Sequence, residues 1–201
     1  MFARYLFISL AAGAIAVAAP AQAQLGQSDS YKFLQAIKDS KGDDVEKLLN
    51  APGTTIINTR SRDSGESALY VVAKRGDLTY VRYLLARGAD PNIKDNAGNT
   101  PLMAAVVGGY GELIDPLVKG HADVNLANRG GETPLILAVQ RRDIDMIRTL
   151  LSNGADPDQR DHLQGLSARE YAHQDPRGVP MAKVIDGTPK KAKAQVAGPK
   201  F

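Results

Sequence analysis

The chain contains no cysteine and only three histidines, His121, His162 and His173. The first absence excludes disulfides, thiolate metal sites and a lipidated N-terminal cysteine. No histidine stands three or four residues from another, so no helix presents a pair of imidazoles to a metal. No metal or cofactor is expected. Without cross-links the fold must rest on its core, and residues 30–185 are enough to build one. Charge of either sign is also scarce in net terms. The formal balance is +3 overall and −1 over residues 24–185, because the surplus lies in lysines 190, 191, 193 and 200. That distribution gives no basis for nucleic acid as a partner.

A long hydrophobic run is missing too. Residues 6–19 are apolar, but a membrane-spanning helix needs about 20 such residues. Arg4 precedes the run, and Pro20 leads into Ala21-Gln22-Ala23, a small-x-small pattern that a signal peptidase reads. Residues 1–23 are therefore predicted to be a secretory signal cut before Gln24, with an uncleaved N-terminal anchor as the alternative. Cleavage would leave no integral membrane span and would place the protein in the periplasm or outside the cell.

Catalytic constellations are absent as well. Gly108-Gly109-Tyr110-Gly111 lacks both the strand before it and the lysine after it that a phosphate loop requires. The serines sit in no nucleophile-elbow pattern. Carboxylates are plentiful, but Asp90, Asp123 and Asp156 recur at a fixed interval, which marks them as structural. The sequence predicts no enzyme.

What the chain does have is a repeat. Thr100-Pro101-Leu102 returns as Thr133-Pro134-Leu135, with a degenerate copy at Ser67-Ala68-Leu69, and the spacing is 33 residues. Leu84-Leu85-Ala86-Arg87-Gly88-Ala89-Asp90-Pro91-Asn92 is echoed by residues 117–125 and again by residues 150–158. Two anchors in step, one at each end of the unit, describe a stack of supersecondary units, each too small to bury its own apolar face.

These residues resemble the ankyrin repeat family, whose unit opens on threonine-proline-leucine and closes on glycine-alanine-aspartate and asparagine. The resemblance implies an all-α solenoid of about five helix-turn-helix units joined by hairpin-like fingers. It also implies a protein-binding scaffold with no shared chemistry. The predicted division is a signal at 1–23, a short linker at 24–29, a repeat domain at 30–185 and a disordered basic tail at 186–201. The units are placed at about 30–62, 63–95, 96–128, 129–161 and 162–185.

In the second unit, helices are predicted over residues 67–74 and 78–87, with small Val72 and Ala73 at a helix contact. Val81, Leu84 and Leu85 form an apolar stripe. Gly76-Asp77 turns between the helices and Gly88 ends the second. The first unit reads as a cap with a modified loop at 51–55. The last unit carries a one-residue insertion, and polar Arg169 and Glu170 suit its terminal place. The third unit breaks the rules. Pro116 falls inside its second helix, where an interior proline costs about 3 kcal/mol. His121 replaces the left-handed glycine, unless Gly120 shifts the cap by one residue. Gly108, Gly109 and Gly111 loosen the turn. Either the stack absorbs this drift or the middle is a soft point.

The rest is surface. The positions that resemble the family's variable contact residues are Arg60, Asp63 and Glu66 on the first finger, then Lys74 and Arg75 on the helix. Next come Lys94, Asn96, Ala97 and Asn99, followed by Val107 and Gly108, then Arg129 and Glu132, then Gln140 and Arg141, and finally Arg160. The cations outnumber the acids among them, so the groove is expected to be basic and its partner an acidic protein surface. The competing reading is an ordinary solvated face. The protein is expected to be a monomer. A second functional reading makes it a peripheral envelope component held at an anionic surface by the lysine tail.

Overall fold

The computed structural model describes residues 28–188. The signal at 1–23, most of the linker and the tail beyond residue 188 lie outside the described residues. Ten α-helices follow one another in pairs among the described residues. They are α1 (Asp29–Lys38) with α2 (Gly42–Leu49), and α3 (Ala68–Lys74) with α4 (Leu78–Ala86). Then come α5 (Pro101–Gly108) with α6 (Ile114–Lys119), α7 (Pro134–Gln140) with α8 (Ile144–Ser152), and α9 (Ala168–Gln174) with α10 (Val179–Asp186). No strand is present among the described residues. Two isolated bridges, Arg60 to Ser67 and Arg160 to Ser167, close the necks of the first and last full fingers. The fold is the all-α repeat stack that the period predicts.

Helices this short do not hold in isolation. Their ends are fixed by caps, and their length by packing against neighbours. Ser67, Thr100, Thr133 and Ser167 each cap a first helix, accepting from the N–H three residues on. Pro101 and Pro134 occupy the first helical position, where no donor is missed. First helices stack in one row, α1 on α3, α3 on α5, α5 on α7 and α7 on α9. Leu69, Leu102 and Leu135 lie buried between them, with Val72-Ala73, Ala105-Val106 and Ala138-Val139 at the close approaches. Leu84, Leu117 and Leu150 are all fully buried, as the repeat requires of equivalent positions.

Pro116 does not sit in a helix interior. Residues Gly111–Leu113 form a 3-10 turn and α6 starts afresh at Ile114. Pro116 thus falls in the first turn of α6, where the backbone N–H has no intrahelical acceptor in any case. The cost expected of an interior proline does not arise. The nearby glycines are not slack either. The ring of Tyr110 lies against Gly76 and Gly108, where a Cβ would come within 2.6 and 2.3 Å of it. His121 does take the left-handed conformation, at φ 71°, and Gly120 does not.

The units are laced along two edges. On one, Asn58, Asn92 and Asn125 each accept from the backbone N–H of an aspartate in the next unit, Asp90, Asp123 and Asp156, at 2.7–2.8 Å. The Asn92 and Asn125 amides donate back to the carbonyls of His121 and Gly154. Those aspartates in turn accept from the N–H two residues on, which confirms their structural role. On the other edge the fingertips bond directly. Asn96 N–H donates to Ser64, Arg129 N–H to Ala97 and His162 N–H to Gly130, at 2.8–3.1 Å. Gly65, Gly98 and Gly131 sit at these crossings with positive φ, and a Cβ on any of them would strike the next finger.

The last unit ends the pattern differently from the polar cap expected of Arg169. Arg169 stands at the repeat position of Leu69, Leu102 and Leu135, and is only 8% exposed. Its guanidinium pairs with Asp158 at 2.8 Å and Asp186 at 2.9 Å, and donates to the carbonyl of Ile185. Asp158 occupies the place of Asn92 and Asn125. Two repeat positions have therefore become charged together, and the charges meet.

Candidate functional site

Fingers and first helices face one another along one side of the stack. At its centre they form an open hollow of about 440 Å3. Ala104, Val107, Gly108 and Leu137 line its helical wall and Ala97 its finger wall. Burial raises the Tyr70 hydroxyl above the ordinary phenol range, with Asp95 adding to the effect. Tyr70 is therefore a neutral wall of this hollow rather than an anion.

Of the residues singled out from the sequence, Lys74, Asn99 and Glu132 border this hollow. Arg60, Lys94 and Arg129 border a second one beneath the fingers, together with Ile93 and Asp95. Several are already committed to the fold. Lys74 pairs with Glu66 at 3.0 Å. Arg60 donates to the Gly65 carbonyl and reaches Asn96, whose amide donates to the Asp63 carbonyl. Lys94 donates to the Ala127 carbonyl at 2.7 Å. Asn99 bonds Asp95 and accepts from Asn128. Glu132 accepts from Asn128 and Gln140. Arg160 pairs with Glu170.

Arg75 departs furthest from its expected place. It donates to the Ile37 carbonyl at 2.6 Å, pairs with Asp77 at 2.8 Å, and stacks over Tyr80. It ties the second unit to the first and is poorly placed to anchor a partner. Arg129 and Arg141 are exposed and carry no side-chain hydrogen bond or ion pair among the described residues. Of the cations at the predicted contact positions, these two are the ones not already engaged by the fold. Ala97, Val107 and Gly108 also fall at the sequence-predicted contact positions, and the structure makes them the apolar part of the face, with Val107 standing where Lys74 and Gln140 stand in the adjacent units.

Apart from Tyr70, the perturbed ionisable groups lie away from the hollow, in or beside the last unit. Burial alone would raise the Asp161 carboxyl, but the Tyr171 hydroxyl and the N–H groups of Gln164, Gly165 and Leu166 together hold it below its ordinary range. Burial and the same bond push Tyr171 up to about 12. The Ser167 N–H lowers Glu170, Arg142 lowers Asp175, and Arg169 followed by His173 lowers Asp186. These contacts brace the end of the stack. Depressed carboxylates stabilise the fold above their unfolded values, near pH 4, and the contribution is lost as pH falls through the folded values. Acidification from about pH 6 to about pH 3 is thus expected to lower amide protection factors in α9 and α10 before those in α3 and α5. Uniform exchange along the stack would contradict this.

No group of three or more histidine, cysteine, aspartate or glutamate side chains could hold a metal ion among the described residues. No helix among them is long and apolar enough to cross a membrane. The site offers shape, hydrogen-bonding amides and a few free cations, which suits recognition.

Comparison with known proteins agrees. The sequence profile of ankyrin repeats in three copies matches residues 33–128 and 69–161. An ankyrin repeat-containing protein of Treponema pallidum is 32% identical over 152 residues, covering 70% of this chain and 39% of that protein. An ankyrin repeat protein of Acanthamoeba polyphaga mimivirus is 37% identical over 93 residues, covering 45% of this chain and 13% of its own length. The nuclear factor NF-kappa-B p110 subunit of Drosophila melanogaster is 45% identical over 51 residues, covering 25% of this chain and 5% of the subunit. The chain thus spans well under half the length of these relatives.

Proposed function

The chain belongs to the ankyrin repeat family, and from that premise we propose that it is an exported protein–protein interaction module that binds an acidic partner protein along the finger-and-helix groove. Ankyrin repeats are protein-binding modules, in general without enzymatic activity. The observation that carries the groove assignment is the open hollow between fingers and first helices, with exposed Arg129 following its lining residue Asn128 and exposed Arg141 ending the helix that carries its lining residue Leu137. Arginine suits such a role because its planar fork pairs bidentately with carboxylates. Export rests on the pattern of residues 1–23, which lie outside the described residues, and the module is proposed to act as a monomer in the periplasm or outside the cell. The lysine tail, also outside them, is the basis of the alternative attachment to an anionic surface.

The test is affinity capture from the exported fraction, followed by binding measurements on groove variants. Reversal of Arg129 and Arg141 to glutamate is expected to weaken binding by about tenfold or more, mainly through slower association and less so at high salt. Arg75 is left out of this pair because its reversal would break the contact with Ile37. The same reversal at Arg82 and Arg148, on the second helices, is expected to change nothing. If the Arg82 and Arg148 pair abolishes binding and the groove pair is silent, the partner uses the opposite side. N-terminal sequencing of exported protein is expected to begin at Gln24; intact Met1 on membranes would favour the anchor.

A further inference from the structure

Resting on that groove reading, we propose that the hollow at Val107 anchors one aliphatic side chain from an extended acidic segment of the partner protein. The argument starts from the repeat register. The position occupied by Val107 carries Lys74 in the preceding unit and Gln140 in the following one. The next position carries Gly108 in place of Arg75 and Arg141. The two long polar side chains of each adjacent unit have here become a valine and a glycine, and the facing fingers contribute small Ala97 beside Asn99, Asn128 and Glu132.

Val107 is 52% exposed, among the most exposed large apolar side chains described. Of the four in that class, it is the one that lines this hollow. A Cβ on Gly108 would lie 2.3 Å from the Tyr110 ring, so a larger residue there would displace that ring. The hollow's volume of about 440 Å3 admits a branched side chain with the backbone that carries it.

Charge decides what flanks that side chain. Arg141 follows Gln140 on the next helix and Arg129 tops the next finger, both without an acidic partner among the described residues. The one acid at the rim, Glu132, is already held by the amides of Asn128 and Gln140. A segment with carboxylates on either side of a leucine or isoleucine complements this arrangement. A lysine-rich segment does not.

The probes are short labelled peptides, read by fluorescence anisotropy against the full chain. One has a central leucine among glutamates, one a central glycine among the same glutamates, and one a central leucine among lysines. The leucine–glutamate peptide is expected to bind about tenfold more tightly than the glycine peptide, since burying one aliphatic side chain is worth roughly that factor. The lysine peptide should not bind. V107K, which installs the residue that the preceding unit tolerates at an exposed site, should reduce the leucine peptide to the level of the glycine peptide. Reversal of Arg129 and Arg141 should weaken both acidic peptides alike. Equal binding of the leucine and glycine peptides, an unchanged V107K, or no binding at all would overturn the proposal. If the arginine reversals weaken binding and V107K does not, the anchor is wrong and the groove stands. If neither matters to the captured partner, the groove reading fails with it.

Discussion

Leu102→Ala is expected to lower the unfolding free energy by about 3 kcal/mol, within the range for a fully buried leucine whose cavity cannot collapse. Leu102 has no exposure, and α5 packs on both α3 and α7. Its unit is the middle of five, so the lost packing weakens two interfaces at once. Repeat stacks hold together through nearest neighbours. The variant is therefore also expected to broaden denaturant unfolding or split it into two steps, with α1–α4 separating from α7–α10. A single sharp transition shifted by less than about 1 kcal/mol would show that α5 can relax around the missing side chain.

Arg169→Met is expected to cost about 2 kcal/mol, as the loss of a buried charged donor whose acceptors are partly solvated. Methionine keeps the apolar stem in the place that leucine fills in earlier units, so the measured loss isolates the guanidinium. Without it, Asp158 and Asp186 lose a shared cation, and α10 loses the bond to the Ile185 carbonyl. The damage should be local. Protection of α10 against amide exchange falls sharply, while that of α3 and α5 holds. Should the variant match or exceed the wild type, the clasp is no more stabilising than an apolar contact of the same shape, as some buried ion networks are.

Much of this architecture was legible before any coordinates. Thr100-Pro101-Leu102 and its copies located the first helices of the three central units, because a cap and a core leucine at fixed spacing have few other uses. Gly88, His121 and Gly154 marked the helix ends for the same reason. The exceptions were the residues that depart from the repeat. Pro116 was read against an ideal helix, and a local 3-10 turn resolves the conflict that the reading anticipated. Arg169 reads from its polarity as a terminal-cap residue, whereas alignment to Leu102 gives it a buried position. The groove was legible as a face but not residue by residue. Nothing in the sequence distinguishes Arg75, turned onto the Ile37 carbonyl, from Arg141, which stands free at the same repeat position. Side-chain direction depends on what the preceding unit offers, and the first unit's helix end offers an acceptor.

The fingertip bonds from Asn96 to Ser64, from Arg129 to Ala97 and from His162 to Gly130 have a bearing on affinity. Isolated loops lose conformational freedom when a ligand settles on them, and that loss subtracts from the attraction. Here each tip is already fixed by its neighbour, with a glycine allowing the close crossing. The fingers therefore meet a ligand as one pre-set comb. The entropy of ordering falls almost wholly on the incoming segment, and a stiff or pre-extended segment should be held more tightly than a flexible one with the same contacts.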